Sequence, residues 1–369
     1  MSDEENTNKR TNSYSEPSQR KRRKIQPSEE DKWFIEFMTY IPPLLQTEWI
    51  EYTKTITSLT EFIELAQSYN PQSNIKYYFP HERLHQLVEP LTELNQMIGM
   101  TELKENLLNH ILFFCQDLES KHNAMMHTVI YGPPGSGKTH VAGILAKIYA
   151  RMGFLKTDKI HSVKRSDLIG QYLGQTAVKT QTAINNAKGG ILLIDEAYSL
   201  GNEEGKDIYS KECIDTLCQN LSEGKGEFIC IIIGYKESLE KCFFSYNPGL
   251  ERRFPYRYTM IEYTAEQLWF ILCKMIKENG WNYEETLQIK AIEFLEINRV
   301  YFKFNGGDME LFFHELKIAH GKRVFGRHPS IYKIFTWDDW NYAFELFLKN
   351  EDVKKRKETF KEHLSFMYT

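Results

Sequence analysis

Residues 132–139 read Gly132-Pro133-Pro134-Gly135-Ser136-Gly137-Lys138-Thr139, and no other stretch narrows so far what this chain can fold into. The glycines allow a tight turn in which several backbone N–H groups point at one anion. Lys138 adds an ammonium beside the outer phosphates of a bound triphosphate, and the Thr139 hydroxyl suits a Mg²⁺ ligand. The flanks agree with that reading. Thr128-Val129-Ile130-Tyr131 is an apolar β-type run, and His140 to Lys147 continues with helical spacing. A strand feeding a loop that opens a helix presents an anion to a helix N-terminus. The pattern therefore asks for an α/β layer.

A second signature comes about one βαβ unit later: Gly190-Ile191-Leu192-Leu193-Ile194-Asp195-Glu196. An apolar strand that ends in two acids delivers two carboxylates beside the phosphate loop. Asp195 suits the Mg²⁺ shell, and Glu196 suits orienting or deprotonating an attacking water. A buried strand ending at an acidic helix cap is the plainer reading; the preceding loop favours the functional one. A third piece is Asn247-Pro248-Gly249-Leu250-Glu251-Arg252-Arg253-Phe254. Two arginines near the end of the α/β region suit an arginine finger acting on a neighbour's phosphoryl group, or else two surface charges.

The rest of the chain gives these pieces a frame. Strands are expected at Thr128–Tyr131, Ile160–Val163, Ile191–Ile194, Ile229–Ile233 and Tyr256–Thr259, mostly separated by helical segments. Apolar runs with intervening helices point to a parallel sheet covered on both faces. From about residue 264 to the end the pattern is helical. Residues 31–92 also read as helical, with Trp33 to Met38 and Leu59 to Leu65 at helical spacing and prolines 42, 43, 71 and 80 as punctuation. At about 60 residues this region is marginal alone, so it is expected to dock on the α/β region or to bind a partner. Residues 1–30 are polar and charged, and are expected to be disordered.

Composition bounds the function classes. A net charge of −4 over 369 residues gives no general reason to expect nucleic acid. Only the cluster Arg20-Lys21-Arg22-Arg23-Lys24 does, as a nuclear-import or nucleic-acid patch or as a solvated charge run. The six cysteines form no C-x-x-C pair, which suits a reducing compartment. No apolar stretch reaches ~18 residues and no N-terminal apolar segment suggests a signal, so a cytoplasmic protein is expected, or a nuclear one if the basic cluster acts.

The three signatures, in this order, resemble the AAA+ ATPases. Within them the stretch Ala187 to Leu200 is similar to the CbbX/CfxQ type, the red-type rubisco activases and their SpoVK-like relatives. Ile98-Gly99-Met100 with Lys104, Asp167 to Thr176, Gly234-Tyr235-Lys236 and Asn247 to Phe254 extend the likeness over roughly residues 94–320. The resemblance implies an α/β P-loop AAA+ core with a parallel sheet over residues 93–260. A helical lid and C-terminal extension would occupy 261–369, with the helical region 31–92 and the tail 1–30 ahead of the core. It implies ATP and Mg²⁺ as cofactors, a homo-hexameric ring and remodelling or threading of a protein partner. Gly132 to Thr139 would hold the phosphates, Thr139 and Asp195 the metal, and Ile98 and Gly99 would begin the adenine pocket. Lys138, Glu196 and Arg253 would be catalytic, with Arg252 in reserve. Tyr172 and Leu173 fall where such rings grip a threaded polypeptide, although an ordinary half-buried tyrosine reads the same.

Two departures stand out. The lid start, Asn305-Gly306-Gly307-Asp308, has no arginine, and the end of the fourth strand offers only Tyr235 as a polar residue. An ATP-binding scaffold with little turnover is the alternative that the missing arginine suggests. A third reading comes from His81-Glu82-Arg83-Leu84-His85, which matches the H-E-x-x-H zinc-hydrolase pattern, with Glu102 and Glu105 downstream as possible third ligands. Its plain counterpart is a surface helix after Pro80, closed by Pro90.

Overall fold

The computed structural model describes Lys32 and residues 48–118, 124–172, 174–201, 207–224 and 226–356. The Arg20–Lys24 cluster, the Trp33 to Met38 run and Leu173 lie outside them. The chain divides into two units, Met1–Glu48 and Trp49–Thr369, and the elements described here belong to the second.

Five short strands form one parallel sheet: β1 (Thr128–Tyr131), β2 (Ile160–Val163), β3 (Ile191–Ile194), β4 (Ile229–Gly234) and β5 (Tyr256–Thr259). Their order across the sheet is β2-β3-β4-β1-β5. The three central strands, β1, β3 and β4, are buried along their whole length. Successive side chains alternate between the two faces. Ile130, Ile191, Leu193, Ile229, Ile231 and Ile233 enter one core. Val129, Leu192, Ile194, Cys230 and Ile232 enter the other. Both faces are covered, which is why these strands read as unbroken apolar runs.

The helices obey the same logic. Before the sheet come α1 (Leu59–Gln67), α2 (His81–Gln86), α3 (Val88–Asn95) and α4 (Thr101–Cys115). Ser58 caps α1 by accepting from the Glu61 N–H, while the Glu61 carboxylate takes the Thr57 N–H. Phe62, Leu87 and Leu91 from this region share a core with Leu107 of α4 and Ile144 of the helix after β1. That helix is α5 (Lys138–Arg151). The opposite face is covered by α6 (Gln175–Ala187) and α7 (Ile208–Glu223), and α8 (Lys236–Cys242) comes after β4.

After β5 the chain is mainly helical, with α9 (Ala265–Glu278), α10 (Glu285–Ile297), α11 (Asn305–Val324) and α12 (Trp337–Phe347). The expected all-helical pattern is broken by one short parallel strand pair, Asn282–Tyr283 with Ile334–Phe335. Capping boxes start α9 at Thr264 with Gln267 and α12 at Thr336 with Asp339. Trp269, Phe302, Phe312, Trp340 and Phe347 are fully buried here and pack ring on ring. Much of the chain's aromatic content thus serves to fill this helical core. Truncating one such ring to alanine costs about 3–5 kcal/mol.

Candidate functional site

The phosphate loop leaves the carboxyl end of β1. The Gly132 N–H donates to the Gly234 carbonyl at 3.2 Å, so β1 and β4 stay paired up to the loop. Gly135 and Gly137 have φ of 65° and 91°, the left-handed region that favours glycine. Ser136 is buried, and its hydroxyl closes the loop on the Pro133 carbonyl at 2.8 Å. Gly137 caps α5, so the free N–H groups of that helix's first turn belong to the loop. The Lys138 ammonium donates to the carbonyls of Gly132 at 3.0 Å and Pro133 at 2.7 Å. It also lies 5.6 Å from the centre of the Tyr235 ring. Burial pulls the Lys138 pKa down, and the charges of Asp195 and Glu196 push it back up.

The two acids arrive from β3, which is separated from β1 only by β4. Asp195 Oδ1 accepts the Glu196 N–H at 2.9 Å. Glu196 is exposed and has φ 52°, a strained backbone for a non-glycine residue. A 3-10 turn, Ala197–Leu200, then brings Tyr198 back over the site. Its ring stacks on Tyr235, with centroids 5.5 Å apart. Burial, with the Glu196 charge behind it, pushes the Tyr198 phenol up to about 12.

Lys138, Thr139, Asp195, Glu196, Tyr198 and Tyr235 line one open cleft of about 350 Å³ with the loop. The donor set fits a metal-bound triphosphate. Left-handed glycines and a helix N-terminus supply N–H donors and Lys138 a cation. Thr139 and Asp195 offer the hard oxygens that Mg²⁺ prefers. Tyr235 is therefore the side chain that β4 delivers. Sequence reasoning does not single out Tyr198, because only the turn after Glu196 returns it to the cleft.

Other expected residues stand elsewhere. Arg252 is exposed and Arg253 half-buried, its Nε donating to Ser222 Oγ at 2.6 Å. Neither lines the cleft of its own chain. Leu250 and Phe254 anchor their segment in the core. Tyr172 is 68% exposed, so the half-buried alternative does not hold. Near the loop, the methyl ends of Met97 and Met100 lie 3.4 and 3.8 Å from where a Gly137 side chain would begin. Gly99, with φ 69°, abuts Gln267 of α9 instead, and neither it nor Ile98 lines the cleft. Lys104 holds this turn by donating to the carbonyls of Asn95 and Met97.

A five-stranded parallel sheet with a phosphate loop, two acids at its carboxyl edge and a helical region behind defines an AAA ATPase. Residues 128–257 match the family described as "ATPase family associated with various cellular activities (AAA)". The chain is 38% identical over 331 residues to the cfxQ-like protein R730 of Acanthamoeba polyphaga mimivirus, covering 89% of this chain and 80% of that protein. It is 35% identical to the CfxQ homolog of Pyropia yezoensis, over 57% of this chain and 72% of that one. It is 34% identical to the stage V sporulation protein K of Bacillus subtilis, over 55% of this chain and 64% of that one. The chain belongs to the CfxQ-like family of AAA ATPases.

The histidine motif has another use. His81 Nε2 lies 2.7 Å from the Leu65 carbonyl, and His85 Nδ1 3.0 Å from that of Ala66. Both rings donate to carbonyls in the last turn of α1; that of Leu65 also accepts from the Ser68 cap. Among the described residues no three His, Cys, Asp or Glu side chains are grouped to hold a metal, and Glu102 and Glu105 are exposed on α4. Pro90 does not close the motif helix, which ends at Gln86; it sits in the first turn of α3, where its missing N–H is not needed.

Proposed function

We propose that this chain hydrolyses ATP and uses the energy to remodel or thread a protein partner as a homo-hexameric ring. The observation that carries the reading is the meeting of Lys138, Thr139, Asp195 and Glu196 in one cleft. The loop amides and Lys138 bind and align the phosphates. Thr139 and Asp195 would hold a Mg²⁺, which would supply charge neutralisation for the phosphate oxygens. Glu196 orients the attacking water and takes its proton, and its strained backbone supports an active role. Tyr198, stacked on Tyr235, walls the cleft beside that carboxylate. Catalysis is then positioning plus charge stabilisation.

Arg253 supplies positive charge to the site of a neighbouring subunit, with Arg252 as the reserve. Their position outside their own cleft and next to an anchored Phe254 supports that assignment. Exposed Tyr172 contacts the threaded polypeptide. Ile98 and Gly99 border the adenine, on the methionine-lined side of the loop. A cytoplasmic location goes with this reading; among the described residues no helix is long and apolar enough to cross a membrane.

Phosphate release and nucleotide binding test the core of the proposal. Glu196→Gln should bind ATP like the wild type and hydrolyse it about a hundredfold more slowly. Full turnover in that variant would remove Glu196 from the mechanism. Tight binding with negligible turnover in the wild type would instead favour the scaffold reading. Mixing tests the ring: Arg253→Ala subunits should depress the activity of wild-type neighbours, because a finger in trans is worth about 10³ or more in rate. Strictly additive activities would argue against it.

A further inference from the structure

Where an arginine is missing at the start of α11, the chain meets the phosphate loop with hydrogen-bond donors. Asn305 is fully buried, and its Nδ2 donates to the Pro134 carbonyl at 3.2 Å. The Gly306 N–H donates to the Gly135 carbonyl at 3.0 Å. The Tyr263 hydroxyl, from the segment leading into α9, donates to the Ser136 carbonyl at 2.9 Å. Three successive loop carbonyls thus each receive one donor from the helical region.

The approach is close and well braced. A Cβ on Gly135 would lie 1.9 Å from the Phe304 carbonyl oxygen, and one on Gly306 2.9 Å from the Gly135 carbonyl oxygen. Neither position tolerates a side chain without separating the two segments. Asn305 Oδ1 in turn accepts from Arg299 at 2.9 Å and from the Tyr263 N–H at 3.3 Å. Asn305 holds a left-handed φ of 50°, a conformation that asparagine tolerates better than most residues.

Peptide geometry gives these bonds their consequence. In a planar trans peptide the C=O of one residue and the N–H of the next point in opposite directions. Holding the carbonyls of Pro134, Gly135 and Ser136 on the lid side turns the N–H groups of Gly135, Ser136 and Gly137 the other way. We propose that Asn305, Gly306 and Tyr263 are positioning residues that clamp the loop so that its amides are aimed at the triphosphate before it binds. This rests on the ATPase reading above. The clamp uses neutral hydrogen bonds to the backbone and leaves the phosphates themselves to the loop. A lid that lifts must break all three bonds together, so lid position and loop order change as one.

Steady-state kinetics of the full chain test this, together with direct binding of a fluorescent ATP analogue. Asn305→Gly keeps a backbone suited to positive φ but removes the donor. Asn305→Asp keeps the shape and sets a carboxylate against the Pro134 carbonyl. Both should raise KM and Kd about tenfold, and Tyr263→Phe about threefold, with kcat within about twofold of wild type. A purely structural role would lower the folded fraction, and so kcat, at unchanged KM. That result, or wild-type KM and Kd in Asn305→Gly and Tyr263→Phe, would overturn the clamp. A wild type that binds no ATP at all would instead reject the ATPase reading itself.

Discussion

The loop Gly132–Thr139 and the helix His81–Gln86 both display catalytic residue types at catalytic spacing, yet their surroundings give them different work. The loop joins a buried strand to a long helix, and a nearby strand brings Asp195 and Glu196 to the same cleft. The histidine helix is six residues long and lies against the end of α1, whose carbonyls take both imidazoles. The comparison teaches that a motif becomes a site when other elements deliver the missing ligands. Where they do not, its polar atoms are taken up by nearby backbone carbonyls at a helix end.

The sharpest way to break this comparison is to remove one member from each region. Lys138→Ala takes away the ammonium that lines the cleft, and on the proposed function should cut ATP turnover at least about a hundredfold in a phosphate-release assay. His81→Ala and His85→Ala should leave turnover within about twofold. Each should lower unfolding free energy by about 1–2 kcal/mol in a denaturant titration, through a lost bond to an α1 carbonyl. The smallest expected effect concerns zinc. Adding it should not move Tm, and a zinc-selective chelator with Mg²⁺ present should not change activity. A zinc-dependent rise in Tm that disappears in His85→Ala would show that the histidine helix does build a site.

Legibility tracked how local each cause was. Thr128–Tyr131, Ile160–Val163, Ile191–Ile194 and Tyr256–Thr259 form strands where the apolar runs place them. β4 runs one residue past the expected Ile233, because the Gly234 carbonyl pairs with Gly132 across the sheet. The helix expected from the Leu59 to Leu65 spacing forms, starts at a Ser58 cap and extends to Gln67. The phosphate loop was readable for the same reason: its glycines, lysine and threonine act within a few residues of one another. Tyr198, Tyr263 and the hold of Asn305 on the loop were not. Asn305 and Pro134 are 171 positions apart, and Tyr263 and Ser136 are 127 apart.

Residue order alone determined a chain built around a phosphate loop, two acids at a strand end and a doubly covered parallel sheet. Backbone conformation, capping and side-chain periodicity are short-range properties, and they fix such elements. Tertiary packing decided which polar groups meet: the Tyr198–Tyr235 wall beside Lys138 and Glu196, the donors from the C-terminal helical region on three loop carbonyls, and the capture of two histidines by α1. Buried donors and acceptors are satisfied by whatever folding brings within about 3 Å, and that neighbour is set by the whole chain.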